Sequence, residues 1–171
     1  MITIRLAQET DAKNLAALAM HVWLHTYAYN GIRTLISDYV FTEFTEEKFR
    51  QLIVASDQCI LVAEVKEHLV GYARLNFNAA RGDVPHTTTE LATLYVQEHF
   101  TRQQIGSKRL AACAQHAQQL CGNAAFWLMV NHQNERAIDF YQKLGYTHYG
   151  VSFFELGDEH HKNFILAKEP E

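Results

Sequence analysis

Several features that would place a chain quickly are missing from this one. It has no Cys-x-x-Cys pair; its three cysteines, Cys59, Cys113 and Cys121, stand apart among apolar neighbours. Such an odd, scattered set reads as reduced, buried thiols of a cytoplasmic protein. No apolar run approaches the roughly 18 residues of a membrane span. There is no basic excess. The net charge is -4, whereas a nucleic-acid binder normally carries a basic stripe. Met1-Ile2-Thr3-Ile4-Arg5 enters a strand pattern at once, without a charged leader and apolar core, so no secretion signal is expected and the cytoplasm is the default compartment. Repeats, low-complexity tracts and linker-like runs are absent as well.

What is present is an ordinary globular composition, 171 residues with 48% hydrophobic and 20% charged. That length suits one domain, 1-171, with a real core. Ile2, Ile4 and Leu6 alternate as in a half-buried strand. Thr10 and Asp11 offer a helix start, and Leu15, Leu18, Ala19, Val22 and Trp23 follow at helical spacing. Residues 31 to 45 read as irregular or briefly helical, in an aromatic-rich stretch with Tyr27, Tyr29, Tyr39, Phe41 and Phe44. Thr45 is a cap for a second helix to about Ala55, with Glu46 and Glu47 in its first turn.

Cys59 to Val65 and Leu69 to Phe77 form a hairpin about Lys66-Glu67-His68. Asn78 to Thr87, holding Gly82 and Pro85, reads as a mobile loop. Glu90 to Val96 is a strand. Ile105 to Leu120 is a helix with Leu110, Cys113, Ala114, Ala117 and Leu120 on one face. Ala124 to Val130 is a strand and Asn134 to Leu144 a helix, its Tyr141 facing the sheet with Ala137, Ile138 and Leu144. Tyr146 to Leu156 and Asn163 to Ala167 form a closing pair about Gly157-Asp158. The strand-helix-strand units need local parallel geometry. The fold class is therefore α/β of the α+β type, one mixed central sheet of six to seven strands flanked by about four helices.

Two segments can carry chemistry. The turn Gln97 to Gln104 opens a helix near Ile105-Gly106-Ser107. Unpaired N–H groups and the positive end of the helix dipole make such a turn an anion site. Arg102, Lys108 and Arg109 can add charge near phosphates. Beyond it, Asn131, Asn134, Ala137, Phe140, Tyr141, Gly145 and Tyr146 stand in the order N-x-x-N-x-x-A-x-x-F-Y-x-x-x-G-Y, after a buried strand. That order resembles the C-terminal signature of the GNAT superfamily of acetyl-CoA-dependent N-acetyltransferases. The element order resembles the GNAT fold over nearly the whole chain.

The resemblance implies an enzyme using acetyl-CoA (coenzyme A) to acetylate an amine. It implies that Arg102, Gln103, Gln104, Ile105, Gly106 and Ser107 cradle the pyrophosphate. The family pattern there is R/Q-x-x-G-x-G/A; Gly106 fits its last glycine, while Thr101 and Gln104 depart from it. It also implies that Leu94, Tyr95 and Val96 offer backbone groups to the pantetheine arm, and that Asn131, Asn134 and Arg136 touch the cofactor. Tyr141 would protonate the departing thiolate, and Glu90 would take the amine proton, often through water. Val151 to Lys168 resembles the narrower group of PaiA-type bacterial spermine/spermidine acetyltransferases. Acidic residues Glu43, Glu46 and Glu47 beside the aromatic stretch suit a cationic amine with apolar methylenes. The expected partner is a small-molecule amine, with no nucleic acid and no membrane, and strands 146 to 168 could pair two copies as a homodimer. Acetylation of a protein N-terminus or lysine, or a non-catalytic acyl-CoA-binding module, are the alternatives.

The histidines give less. His21 and His25 have zinc-ligand spacing on one helix, but no third ligand is evident, so no metal is expected. Cys59 and Cys113 sit in apolar segments, where a thiol is inert.

Overall fold

The computed structural model describes residues 2–100 and 105–169. Among the described residues seven strands hydrogen-bond in the order β1 (Ile2–Leu6), β2 (Gln58–Val65), β3 (His68–Asn76), β4 (Glu90–Val96), β5 (Trp127–Asn131), β7 (Glu159–Lys168), β6 (Tyr146–Leu156). The same residues hold five α-helices, where about four were expected. The chain divides into two compact units, residues 1–75 with 93–113 and residues 76–92 with 114–171.

In the first unit β1 (Ile2–Leu6) pairs antiparallel with β2 (Gln58–Val65), Ile2 opposite Val65 and Leu6 opposite Leu61. Arg5 on β1 reaches Asp11 with both ends of its guanidinium, at 2.7 and 2.9 Å, and Glu64 of β2 at 2.5 Å. Asp11 also accepts the Gln8 N–H at 2.8 Å, closing a 3-10 turn, Glu9–Asp11, ahead of α1 (Ala12–Tyr27). The anticipated helix-start residue thus ties the helix to the sheet. The Arg5 hydrogen bond holds the Asp11 carboxyl below its ordinary value, against the opposing effect of burial. A carboxyl lowered in the folded state stabilises above its unfolded pKa and loses that contribution as pH falls through the acid range. Asp11→Asn should therefore cost on the order of 2 kcal/mol at neutral pH, and less below about pH 3. Urea titrations at pH 7 and pH 3 check this; equal losses at both would refute it.

The α1 residues Leu15, Leu18 and Ala19 pack with Phe49, Ile60, Val62 and Tyr72 in one core cluster. Residues 34 to 43, expected to be irregular or briefly helical, form a ten-residue helix, α2 (Thr34–Glu43). Its buried Ile36 and Val40 lie one turn apart. Helix α3 (Glu46–Val54) has the expected cap, the Lys48 N–H donating to Thr45 Oγ1 at 3.2 Å. Strands β2 and β3 (His68–Asn76) meet at Lys66 and Glu67, both at positive φ, as two-residue hairpin turns require.

In the second unit the first residues of β4 (Glu90–Val96) run parallel to β5 (Trp127–Asn131), Glu90 beside Trp127 and Leu91 beside Leu128. Antiparallel β7 (Glu159–Lys168) lies between β5 and β6 (Tyr146–Leu156). The loop read as mobile is pinned: the Trp127 indole donates to the Ala79 carbonyl at 2.7 Å, Arg81 lies 5.0 Å over the Trp127 ring, and Val84 is buried. Helix α4 (Ile105–Cys121) buries Leu110, Cys113 and Ala117 but exposes Leu120, and α5 (Glu135–Lys143) leaves Leu144 beyond its end exposed. Cys59 and Cys113 are buried as expected; Cys121, at the end of α4, is exposed instead. Among the described residues no helix is long and apolar enough to cross a membrane.

Candidate active site

In the first unit the site residues lie on β4 and at the start of α4. Leu94, Tyr95 and Val96 are half-buried at the C-terminal end of β4. The Gln97 N–H donates to the Val70 carbonyl of β3 at 2.9 Å, so residue 97 turns its polar groups toward β3. By strand alternation residue 95 does the same, and Leu94 and Val96 direct theirs to the other side. Helix α4 begins at Ile105, with Gly106 and Ser107 half-buried in its first turn. First-turn amides have no partner within their own helix and attract anions. Arg102, Gln103 and Gln104 lie outside the described residues. Arg109 was read, with Arg102 and Lys108, as able to add charge near phosphates. It is fully buried instead, its Nη1 donating to the Tyr95 carbonyl at 2.8 Å.

An aromatic group stands in the same unit. Trp23 stacks on Tyr39 at 4.7 Å and meets Tyr27 at 4.8 Å and Phe44 at 6.3 Å; Tyr72 meets Tyr95 edge-on at 5.5 Å. Burial raises the Tyr27 hydroxyl, pushes Tyr39 up to about 12 with help from the Glu43 charge, and lifts Tyr72 and Tyr95 further. All four stay neutral at neutral pH. The half-buried Tyr27, Tyr39 and Tyr95 offer neutral rings and hydroxyl oxygens, which suit a cation, while Tyr72 is packed in the core behind them. Glu43 lies beside Lys48 at 3.0 Å.

In the second unit Asn131 ends β5. Its Oδ1 accepts the Gln133 N–H at 2.9 Å, and its carbonyl accepts the Asn134 N–H at 2.9 Å. Asn134 caps α5, accepting the Ala137 N–H at 3.1 Å. These two asparagines therefore build the strand-to-helix turn with their oxygens. Arg136 is exposed in the first turn. Tyr141 is buried, its ring 5.2 Å from Phe140 and 5.7 Å from Tyr146. The helix stops at Gly145, which takes the left-handed φ of 88° that side chains disfavour. Glu90 is half-buried at the start of β4. Its charge adds to that of Asp83, the principal partner, in raising the Arg81 guanidinium, so a cation stands near the Glu90 carboxylate.

His25 lies 2.7 Å from Glu98. Among the described residues no group of three or more His, Cys, Asp or Glu is placed to hold a metal ion. Burial raises the Cys59 thiol to about 11 and Cys113 to about 12, so neither is a ready nucleophile at neutral pH.

The acetyltransferase (GNAT) family model matches residues 29–146, which hold α2 through α5. The chain belongs to this GNAT acetyltransferase family. It is 29% identical over 164 residues to an uncharacterized N-acetyltransferase of Mycobacterium tuberculosis, spanning 94% of this chain and 98% of the relative. It is 28% identical over 174 residues to a spermidine N(1)-acetyltransferase of Thermoplasma acidophilum, spanning 99% and 98%. Among solved structures it is similar to a PaiA N-acetyltransferase of Thermoplasma acidophilum in complex with coenzyme A, with TM-score 0.77, 26% identity and 99% of each chain covered. As a GNAT enzyme it takes the acetyl group from acetyl-CoA. The donor set fits that molecule: first-turn amides of α4 suit a pyrophosphate, and outward-turned amides of β4 suit an extended, amide-bearing arm.

Proposed function

We propose that this acetyltransferase acetylates a primary amine of small, polyamine-like type, by direct attack in a ternary complex. The observation that carries the reading is the group of Trp23, Tyr27, Tyr39 and Phe44 together with the Tyr72–Tyr95 pair. The half-buried Tyr27, Tyr39, Phe44 and Tyr95, backed by the buried Trp23 and Tyr72, offer neutral aromatic faces and hydroxyls that suit an alkylammonium chain, its charge over the rings and its methylenes against their edges. The spermidine N(1)-acetyltransferase relative supports the same substrate class.

Acetyl-CoA supplies a thioester whose acetyl carbon is open to attack. In this reading the first-turn amides of Ile105, Gly106 and Ser107, with Arg102, Gln103 and Gln104, hold its pyrophosphate. Leu94, Tyr95 and Val96 align its arm, and Asn131, Asn134 and Arg136 bind alongside. An alkylamine has a pKa of about 10, so only about one molecule in a thousand is neutral at pH 7. Glu90, through water, removes the proton that blocks attack. The Tyr141 hydroxyl delivers a proton to the leaving sulfur, as general acid.

A thiol-release assay against an amine panel tests this: polyamines, lysine peptides and small amino compounds. Polyamines should give the highest kcat/KM. Running it across pH with Glu90→Gln should shift the acid-side limb of the profile. A profile unchanged by that substitution removes Glu90 as base. A preference for lysine peptides rejects the polyamine reading, and coenzyme A binding without acceptor-dependent release rejects turnover.

A further inference from the structure

Arg109 is a cation with no exposed surface. It lies in a slot that only glycine leaves open. A Cβ on Gly71 of β3 would stand 2.3 Å from Arg109 Nη1 and 2.9 Å from its Cζ, and 2.5 Å from the Tyr95 oxygen. The guanidinium therefore passes between β3 and the Tyr95 carbonyl and hydrogen-bonds it at 2.8 Å. Burying a charge is expensive unless it makes strong interactions. A surface arginine for phosphate would not need this slot.

The Tyr95 carbonyl and the Val96 N–H belong to one peptide unit. A cationic donor on the carbonyl draws electron density toward oxygen and makes the N–H a stronger donor, an effect enlarged where water is excluded. The Tyr95 carbonyl faces Arg109 and Gly71 of β3, and in a planar trans peptide the Val96 N–H points the opposite way, away from β3. We infer that Arg109 is a positioning residue: it fixes and polarises the Tyr95–Val96 peptide so that the Val96 N–H can hold the acyl carbonyl oxygen as negative charge builds on it. A preset donor of this kind is the usual means of lowering an acyl-transfer barrier. The inference rests on the reading above in which β4 aligns the acetyl donor.

The test uses the full chain with Arg109→Met, which keeps length and removes the cation. Thermal unfolding, coenzyme A affinity, acetyl-CoA affinity, kcat and the Val96 15N resonance are measured. A tenfold to hundredfold loss of kcat is expected (roughly the effect of weakening, not deleting, one oxyanion donor). Coenzyme A, which lacks the carbonyl, should bind within about twofold of the parent, while acetyl-CoA loses affinity relative to it. The Val96 15N resonance should move upfield in the ligand-free protein. Should Arg109→Met not fold, Arg109→Lys carries the same measurements, with kcat partly retained and a smaller Val96 shift. Unchanged kcat overturns the proposal, as does loss of kcat and of affinity for both ligands together in proportion to lost stability, or an unmoved Val96 resonance. Should the parent protein release no thiol with any amine, the acetyl-transfer reading fails by itself; the acetyl-CoA to coenzyme A affinity ratio and the Val96 shift still decide the role of Arg109.

Discussion

Replacing Tyr141 by phenylalanine should lower kcat about a hundredfold, the low end for a general acid, and leave coenzyme A affinity within about twofold. The low end is expected because a thiol ionises near pKa 8.5, far below an alcohol, so the sulfur departs tolerably well without its proton. The substitution removes one oxygen and keeps the ring. The 8% exposure of Tyr141 and its contacts with Phe140 and Tyr146 are those of a packed aromatic, and no cavity opens. Stability should therefore change by no more than about 1 kcal/mol. Steady-state kinetics across pH, with thermal unfolding alongside, check this. A kcat equal to the parent's at every pH removes Tyr141 from proton transfer.

The largest expected loss of stability is that of Gly71→Ala, about 3 kcal/mol or a fall of about 6–12 °C in Tm. Its new methyl would meet a backbone oxygen at 2.5 Å as well as the Arg109 guanidinium at 2.3 Å. A flexible side-chain tip can swing away, but the Tyr95 carbonyl is held in a strand and the guanidinium has no solvent to retreat into. Gly82→Ala is the control, since nothing lies within 4 Å of its added carbon, and it should change stability by less than about 0.5 kcal/mol. Combining Gly71→Ala with Arg109→Ala should give a loss smaller than the sum of the two, because one clash is relieved. Strict additivity in calorimetry would mean that the two residues do not share the slot.

Most of the element order is legible in the sequence because alternation and helical spacing are strong along β1, β4, α1 and α4. Helix α2 is harder to read, since only Ile36 and Val40 mark its inner face and the surrounding aromatics suggest a loop. Leu120 and Leu144 follow the helical spacing yet end exposed, because helix phase names a face without saying what covers it. Within the site, the cap at Asn134 and the stop at Gly145 follow from residue type. Arg109 does not, because charge is read as surface. A signal was nonetheless present: Arg109 lies four and eight residues before the buried Cys113 and Ala117, in phase with the core face. Gly71, between the buried Val70 and Tyr72 of a strand, is the matching mark of close backbone approach.

The two tryptophans divide between the units, and this gives the protein a private optical channel for each. Trp23 lies in the first, stacked on Tyr39, and Trp127 in the second, beneath Arg81. Both are nearly fully buried. With Trp127 replaced by phenylalanine, emission reports only the aromatic group assigned to the amine; with Trp23 replaced, only the pinned loop and β5. Comparing the two denaturation curves then shows whether the units melt as one or in sequence, a distinction that a single melting temperature conceals.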